Sequence, residues 1–275
     1  MSGAVAAGTP FVKVQALGND FVLFDQFPSN ASDIARMVCD RHRGIGADGC
    51  IFLVPAHGAD VRMHILNADG TEAAQCGNAL RCVAHVLQSR GVRMPCVIET
   101  VGRGAQTVHW IDGMADVDMG VPMWEAHSIP HVPLGDDVVR DVRVVIDGVP
   151  FVYDAVSFGN PHCVVVVDDI AACDVARYGA ALSAHAHFPE QANVEFVYVH
   201  SHDVLHMRVW ERGVGETQAC GSGACAAMAT QHRAGRVGTD VTVCMPGGDV
   251  RIALRDGHIW KSGPAETVFV GRWGP

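Results

Sequence analysis

Short apolar, β-branched runs recur along this chain of 275 residues and are cut by Gly, Pro, Asn and Asp. The first set is Phe11–Leu17, Phe21–Phe24, Cys50–Pro55, Val61–Leu66 and Cys96–Thr100. A second set is Val142–Ile146, Phe151–Val156, His162–Val167, Val194–Val199 and Leu205–Trp210, and a third is Val241–Cys244, Val250–Leu254 and Thr267–Val270. Their length and composition predict strands, with Asp147–Gly148 and Pro246–Gly247–Gly248–Asp249 as turns between them. Helical spacing is confined to Ser32–His42, with Ser32 as its cap, Asn78–Arg90 and Ser222–Arg233. The last of these, containing GACAAMATQ, is small and apolar on nearly every face, which predicts a buried helix rather than a surface one. Leu80, Val83, Ala84, Val86 and Leu87 give Asn78–Arg90 the same character. Many strands around few buried helices predict an α+β fold, with a sheet wrapped around a central helix.

The pattern occurs twice. Asp69–Arg90 reads DGTEAAQCGNALRCVAHVLQSR, and Gly213–Ala234 reads GVGETQACGSGACAAMATQHRA. Registered on Cys76 and Cys220, Glu72 aligns with Glu216, Gly77 with Gly221 and Gly91 with Gly235. A second echo pairs LGNDFV at 17–22 with FGNPHCV at 158–164; Asn19 precedes Cys76 by 57 positions and Asn160 precedes Cys220 by 60. Two landmarks in one order at nearly one separation predict duplication into two pseudo-symmetric domains. The boundary falls near Met119–Trp124, giving residues 1–121 and 122–266, with the last strand in 267–275 returning to the first domain.

Composition narrows the class. Half of the residues are apolar (49%) and the formal charge is −10, so neither disorder nor a nucleic-acid or anionic-membrane partner is expected. The first residues lack a basic n-region and no run is long enough to span a bilayer, so a cytoplasmic location is expected. The ten cysteines then read as free thiols. Cys39, Cys50, Cys96, Cys163, Cys173 and Cys244 lie in apolar or mixed surroundings and read as small hydrophobes. Lys13 and Lys261 are the two lysines of the chain; Lys13 lies in the strand-like FVKVQAL and Lys261 follows the strand-like HIW, which disfavours a pyridoxal Schiff base.

Cys76 and Cys220 differ from the other cysteines because each stands where a turn enters a helix. A helix N-terminus favours thiolate, and its free N–H groups donate to a carboxylate. Spacing argues against a phosphatase-like loop, since no arginine stands six positions after either cysteine. No C-x-x-C pair occurs, which disfavours a thioredoxin-like site or zinc ribbon. The pairs His185/His187 and His200/His202 read as solvent-facing loop histidines, and no metal site is expected. A cysteine hydrolase with His162 as base stays open, but uses one thiol and leaves the other unexplained. Inversion of a stereocentre uses both: one thiolate removes a proton from one face and a thiol delivers one to the other. Asn19, Asn67, Asn78, Asn160 and Asn193 lie beside turns and suit zwitterion recognition, while Glu211 and Arg212 suit an ammonium and a carboxylate.

The segments LGNDF (17–21), RGIGADG (43–49), NADGTEAAQCGNALRC (67–82), GNPHCVV (159–165) and ERGVGETQACGSGACAA (211–227) closely resemble those of the diaminopimelate epimerases. The resemblance implies a cofactor-independent enzyme that interconverts LL- and meso-diaminopimelate for lysine and cell-wall synthesis. It also implies two domains that close over the substrate, and a homodimer. Carried over by position, Cys76 is the proton donor and Cys220 the acceptor in the LL-to-meso direction. Asn19, Asn67, Gly77, Asn78, Asn160, Asn193, Glu211, Arg212, Gly221 and Ser222 match substrate-binding positions, and His162 and Glu211 match residues that tune the thiols. Two positions depart from the family: Gly49 replaces a common glutamine, and Ala79 replaces the second glycine of CGNG. A two-cysteine racemase for another amino acid, such as a proline-type racemase, and a silent or isomerase-like relative remain as alternatives.

Overall fold

The computed structural model describes residues 8–73, 76–101, 104–135 and 137–274. The chain divides into two compact units, Met1–Val117 with Gly263–Pro275, and Asp118–Ser262.

In the first unit β1 (Thr9–Ala16) lies between β2 (Asn19–Phe24) and the C-terminal strand β17 (Glu266–Trp273), antiparallel to both. The sheet continues through β3 (Gly49–Val54), β4 (Val61–Asn67), β5 (Cys96–Thr100), β6 (Gly104–Ile111) and β7 (Met114–Asp118). Two of these joins are parallel, β2 to β3 and β4 to β5. A parallel join needs a crossover, and each has a helix. The first crossover carries α1 (Ala31–Cys39), and the second carries α2 (Gly77–Ser89). Helix α2 packs on β1, β6 and β17 and is buried along most of its length.

The second unit has the same succession of pairings. Strand β9 (Val149–Ser157) lies between β8 (Val142–Ile146) and β10 (Pro161–Val166), again antiparallel to both. The sheet runs on through β11 (Asn193–Ser201), β12 (Val204–Glu211), β14 (Asp240–Met245), β15 (Gly248–Arg255) and β16 (His258–Gly263). The parallel joins are β10 to β11 and β12 to β14, bridged by α3 (Val175–Ser183) and α4 (Gly221–Arg233). A short strand, β13 (Gly215–Thr217), adds to β12. Helix α4 touches β9, β10, β11, β12, β14 and β15, with its Gly223–Gln231 segment buried. This is the α+β arrangement of a sheet around a central helix, formed twice. The role that β8 plays beside β9 is taken in the first unit by β17, the chain's last strand.

Several elements differ from expectation. Helix α1 starts at Ala31 with Asn30 at its cap, so Ser32 is inside the first turn and caps nothing. It stops at Cys39 rather than His42 because the Asp40 carboxylate accepts the His42 and Arg43 amides at 2.8 and 2.9 Å, an alternative to further helical bonding. Strands β6, β7 and β13 and helix α3 were not expected. The turn between β6 and β7 is Asp112–Gly113, both at positive φ (51° and 79°), as a tight hairpin requires. Helix α3 is capped by Asp174, which accepts the Arg177 amide at 3.1 Å. His187 is not a solvent-facing loop histidine; its Nδ1 and the Tyr153 hydroxyl are 2.7 Å apart in a half-buried network with His131.

Candidate active site

Each unit carries a half-site built on the N-terminus of its central helix. Cys76 is the N-cap of α2 and Cys220 the N-cap of α4, both in extended backbone conformation. The Cys76 carbonyl accepts the Leu80 amide at 3.1 Å and the Cys220 carbonyl the Ala224 amide at 3.0 Å. Both thiols therefore stand at the positive end of a helix of 13 residues. The matched glutamates just upstream pair with the preceding strands. Glu72 pairs with His64 and Glu216 with Arg208, in each case the residue eight positions earlier on the preceding strand.

In the first unit the Cys76 thiol is 3.7 Å from Asn19 Oδ1, which also accepts Asn78 Nδ2 at 3.3 Å. Amide oxygens only accept, so this contact uses Cys76 as S–H donor. Asn19 is fixed in turn by Asp48, whose Oδ2 accepts Asn19 Nδ2 at 2.8 Å. Arg41 bridges Asp48 and Asp20, and Lys13 pairs with Asp20 at 2.6 Å. Arg81, fully buried, donates to Asn78 Oδ1 at 2.6 Å. Asn67 is exposed and closes a local turn, with its Nδ2 on Thr71 Oγ1 at 3.0 Å. The sequence-predicted Asn19, Cys76, Gly77 and Asn78 thus share one corner, whereas Asn67 is bonded within its own turn.

In the second unit Cys220 is almost fully buried, and its Sγ lies 3.6 Å from Ser222 Oγ. Asn160 donates to that hydroxyl at 3.4 Å, and His162 Nε2 is 3.1 Å from Asn160 Oδ1. Asn193 donates to the Pro161 carbonyl at 3.2 Å and accepts the Arg212 amide at 2.9 Å, which fixes the turn after β12. Arg212 itself reaches the Glu190 carbonyl at 3.2 Å. Glu211 accepts the Thr217 hydroxyl at 2.5 Å. Gly221 meets a steric requirement: a Cβ there would collide with Lys261 Nζ. Burial pushes the Cys220 thiol well above its ordinary range, and the nearby carboxylates Glu211 and Glu195 push the same way. Ser222 and the Gly223 amide oppose that rise.

Sequence reasoning missed Glu195. It is fully buried on β11, 2.7 Å from His162 Nδ1. Its signal was a lone carboxylate inside the apolar strand NVEFV. Asp48 was also missed as a partner of Asn19. The other thiols behave as packing groups: burial raises Cys39 to about 12, and Cys96, Cys173 and Cys244 to about 11. Of the two departures, Ala79 is fully buried within α2, and a Cβ on Gly49 would lie 2.9 Å from the Leu66 carbonyl and 3.3 Å from the Phe21 ring. On this backbone β3 has no room for a larger residue at position 49. Among the described residues no cluster of three or more His, Cys, Asp or Glu is placed to hold a metal ion.

The duplication has a counterpart in a known family. One family description, diaminopimelate epimerase, matches residues 11–125 and again 154–268, two segments of equal length. The chain belongs to the diaminopimelate epimerase family. Proteins named diaminopimelate epimerase from Desulfitobacterium hafniense and Desulforudis audaxviator are both 42% identical to it. The aligned region covers 94% and 96% of this chain and 96% and 98% of theirs. A probable proline racemase from Agrobacterium radiobacter K84 shares the fold at a TM-score of 0.67 and 18% identity, covering 95% of this chain and 92% of that one. A phenazine biosynthesis protein of the PhzF family from Bacillus anthracis does so at 0.70 and 17%, covering 96% and 98%. Diaminopimelate epimerase relatives thus match both halves at the level of sequence, and the racemase and PhzF structures share the fold alone.

Proposed function

We propose that this chain interconverts LL- and meso-diaminopimelate without a cofactor, using Cys76 and Cys220 as paired acid and base. The observation that carries the reading is the cysteine N-cap formed once in each unit, in a chain whose family is named for this reaction. In the LL-to-meso direction the Cys220 thiolate takes the α-proton from one face of the substrate carbon. The electron pair left on carbon is delocalised into the α-carboxylate, and the Cys76 thiol returns a proton to the other face. The reverse reaction exchanges the two roles.

The hydrogen-bond directions support that assignment. Asn19 Oδ1 holds Cys76 as a donor, whereas Cys220 faces a hydroxyl able to donate to it. The substrate α-carboxylate is assigned to the free N–H groups that open α2 and α4, at Gly77, Asn78, Gly221 and Ser222. Asn19, Asn67, Asn160 and Asn193 supply neutral contacts, and Glu211 and Arg212 the charged ones. His162 and Glu211 tune the thiols. The raised position of the Cys220 thiol requires that a bound cationic group or a donor network bring it down when substrate enters.

The family resemblance supports a homodimer. No helix among the described residues is long and apolar enough to cross a membrane. The test is incubation of the protein with pure LL-diaminopimelate in D₂O. The expected product is the meso isomer with deuterium at the inverted carbon. Absence of the meso isomer, or faster racemisation of proline, contradicts the reading.

A further inference from the structure

Glu195 lies between Val194 and Phe196 on β11 with no solvent exposure. A buried carboxylate is costly unless paired and hydrogen-bonded, and the partner here is His162, equally buried. The contact begins a continuous run of side chains that ends at the thiol. Glu195 Oε1 is 2.7 Å from His162 Nδ1, and His162 Nε2 is 3.1 Å from Asn160 Oδ1. Asn160 Nδ2 donates to Ser222 Oγ at 3.4 Å, and Ser222 Oγ is 3.6 Å from Cys220 Sγ. Helix α4 locks the far end in place: a Cβ on Gly223 would lie 2.6 Å from Glu195 Oε1, so the helix backbone seats against the carboxylate.

The direction of the donors decides what this run does. Asn160 Oδ1 only accepts, so His162 Nε2 must carry a hydrogen. One proton shared between Nδ1 and Glu195 satisfies the other side of the ring, whichever atom holds it. Asn160 then donates to Ser222, and the Ser222 hydroxyl hydrogen is free to turn to Cys220. From His162 Nε2 onward each donor points toward the sulfur. A ring without the carboxyl is free to move its single hydrogen to Nδ1, and the run then loses its direction.

We propose that Glu195 is a positioning residue for the epimerisation: through His162, Asn160 and Ser222 it holds a hydrogen-bond donor on Cys220 and supports the thiolate. The proposal rests on the reading of Cys220 as one of the two bases. The other charged group acting on Cys220 is Glu211 on β12; Lys261 on β16 lies beside the neighbouring Gly221, and Cys225 on α4 turns its own thiol to the Gly221 carbonyl at 3.2 Å. As a bare negative neighbour Glu195 would oppose the thiolate. Its two effects have opposite signs, and an experiment separates them.

The test is alkylation of Cys220 by iodoacetamide in the full chain, followed peptide by peptide from neutral to alkaline pH, for wild type and Glu195→Gln. Glutamine supplies no charge whether it donates to Nδ1 or accepts from it, so the Nε2 donor weakens. The expected result is alkylation about fivefold slower at fixed pH, with its midpoint moved upward. An equal or faster rate overturns the proposal. Should Glu195→Gln fail to fold, ¹⁵N NMR of the wild-type imidazole decides: His162 Nε2 is expected to stay protonated, and a bare Nε2 overturns the proposal. Neither readout needs substrate, so a protein that makes no meso-diaminopimelate would contradict the function and leave this result intact.

Discussion

Asp20 concentrates much of the charge behind the first half-site. Burial opposes its ionisation, but Arg41 and Lys13 outweigh that and hold its carboxyl below the usual range. A carboxyl depressed in the folded state adds stability that is fully present above its unfolded pKa and is lost as pH falls through the folded one. Asp20→Asn leaves buried Lys13 without its partner and is expected to cost about 3–5 kcal/mol at neutral pH. That difference should shrink as pH drops below the ordinary carboxylate range. Denaturant unfolding over a pH series checks it, and a difference independent of pH would contradict the pairing. At this scale the sequence was legible where a residue type is rare in its setting. Cys76 and Cys220 stood out because a thiol at a turn-to-helix junction is uncommon and was repeated. Asp48 and Glu195 did not, because their partners lie elsewhere in the chain, and no local spacing links Glu195 to a histidine 33 positions away.

The elements followed from hydrophobic pattern wherever burial was one-sided or complete. Helix α4 was legible because its small apolar residues fit only a site enclosed on all sides, and six strands enclose it. Met228 is fully buried there. Met228→Ala should destabilise the fold by about 2–5 kcal/mol, read from the denaturant midpoint. A change below about 0.5 kcal/mol, the size of an ordinary surface substitution, would mean that the helix is not the centre of its unit. The unexpected elements have weaker patterns. Strand β6, GAQTVHWI, alternates with polar residues and ends in an exposed hairpin. Helix α3 has nine residues and a glycine, Gly179, whose missing Cβ leaves room for Trp210; a Cβ there would come 2.5 Å from the Trp210 Cβ. That glycine weakens the helical signal in sequence for a reason that belongs to packing.

At the scale of the whole molecule, the repeat in sequence and the repeat in pairing order are one fact. Both units place an asparagine in the hairpin before the first crossover, cross over twice by helix, and open the helix of the second crossover on a cysteine N-cap. Duplication was legible because Asn19, Cys76, Asn160 and Cys220 keep their order and spacing. The exchange of β8 for β17 as outermost strand was partly legible, since one apolar run remained at the end of the chain. The outer surroundings of the two thiols were not legible, because they come from the parts that diverged: Asp48 and Arg41 behind Asn19, and Glu195 behind His162. The two halves repeat the backbone and differ in the electrostatics of their thiols.

In the proposed mechanism that difference serves a reaction in which one sulfur gives a proton while the other takes one. The most direct measurement is conversion of LL-diaminopimelate in D₂O by wild type, Cys76→Ala and Cys220→Ala, with melting temperatures recorded for all three. Each single variant is expected to keep its fold and to lose epimerisation by on the order of 10²–10⁴-fold, as removal of a positioned acid or base does. Either variant epimerising at the wild-type rate would contradict a two-thiol mechanism.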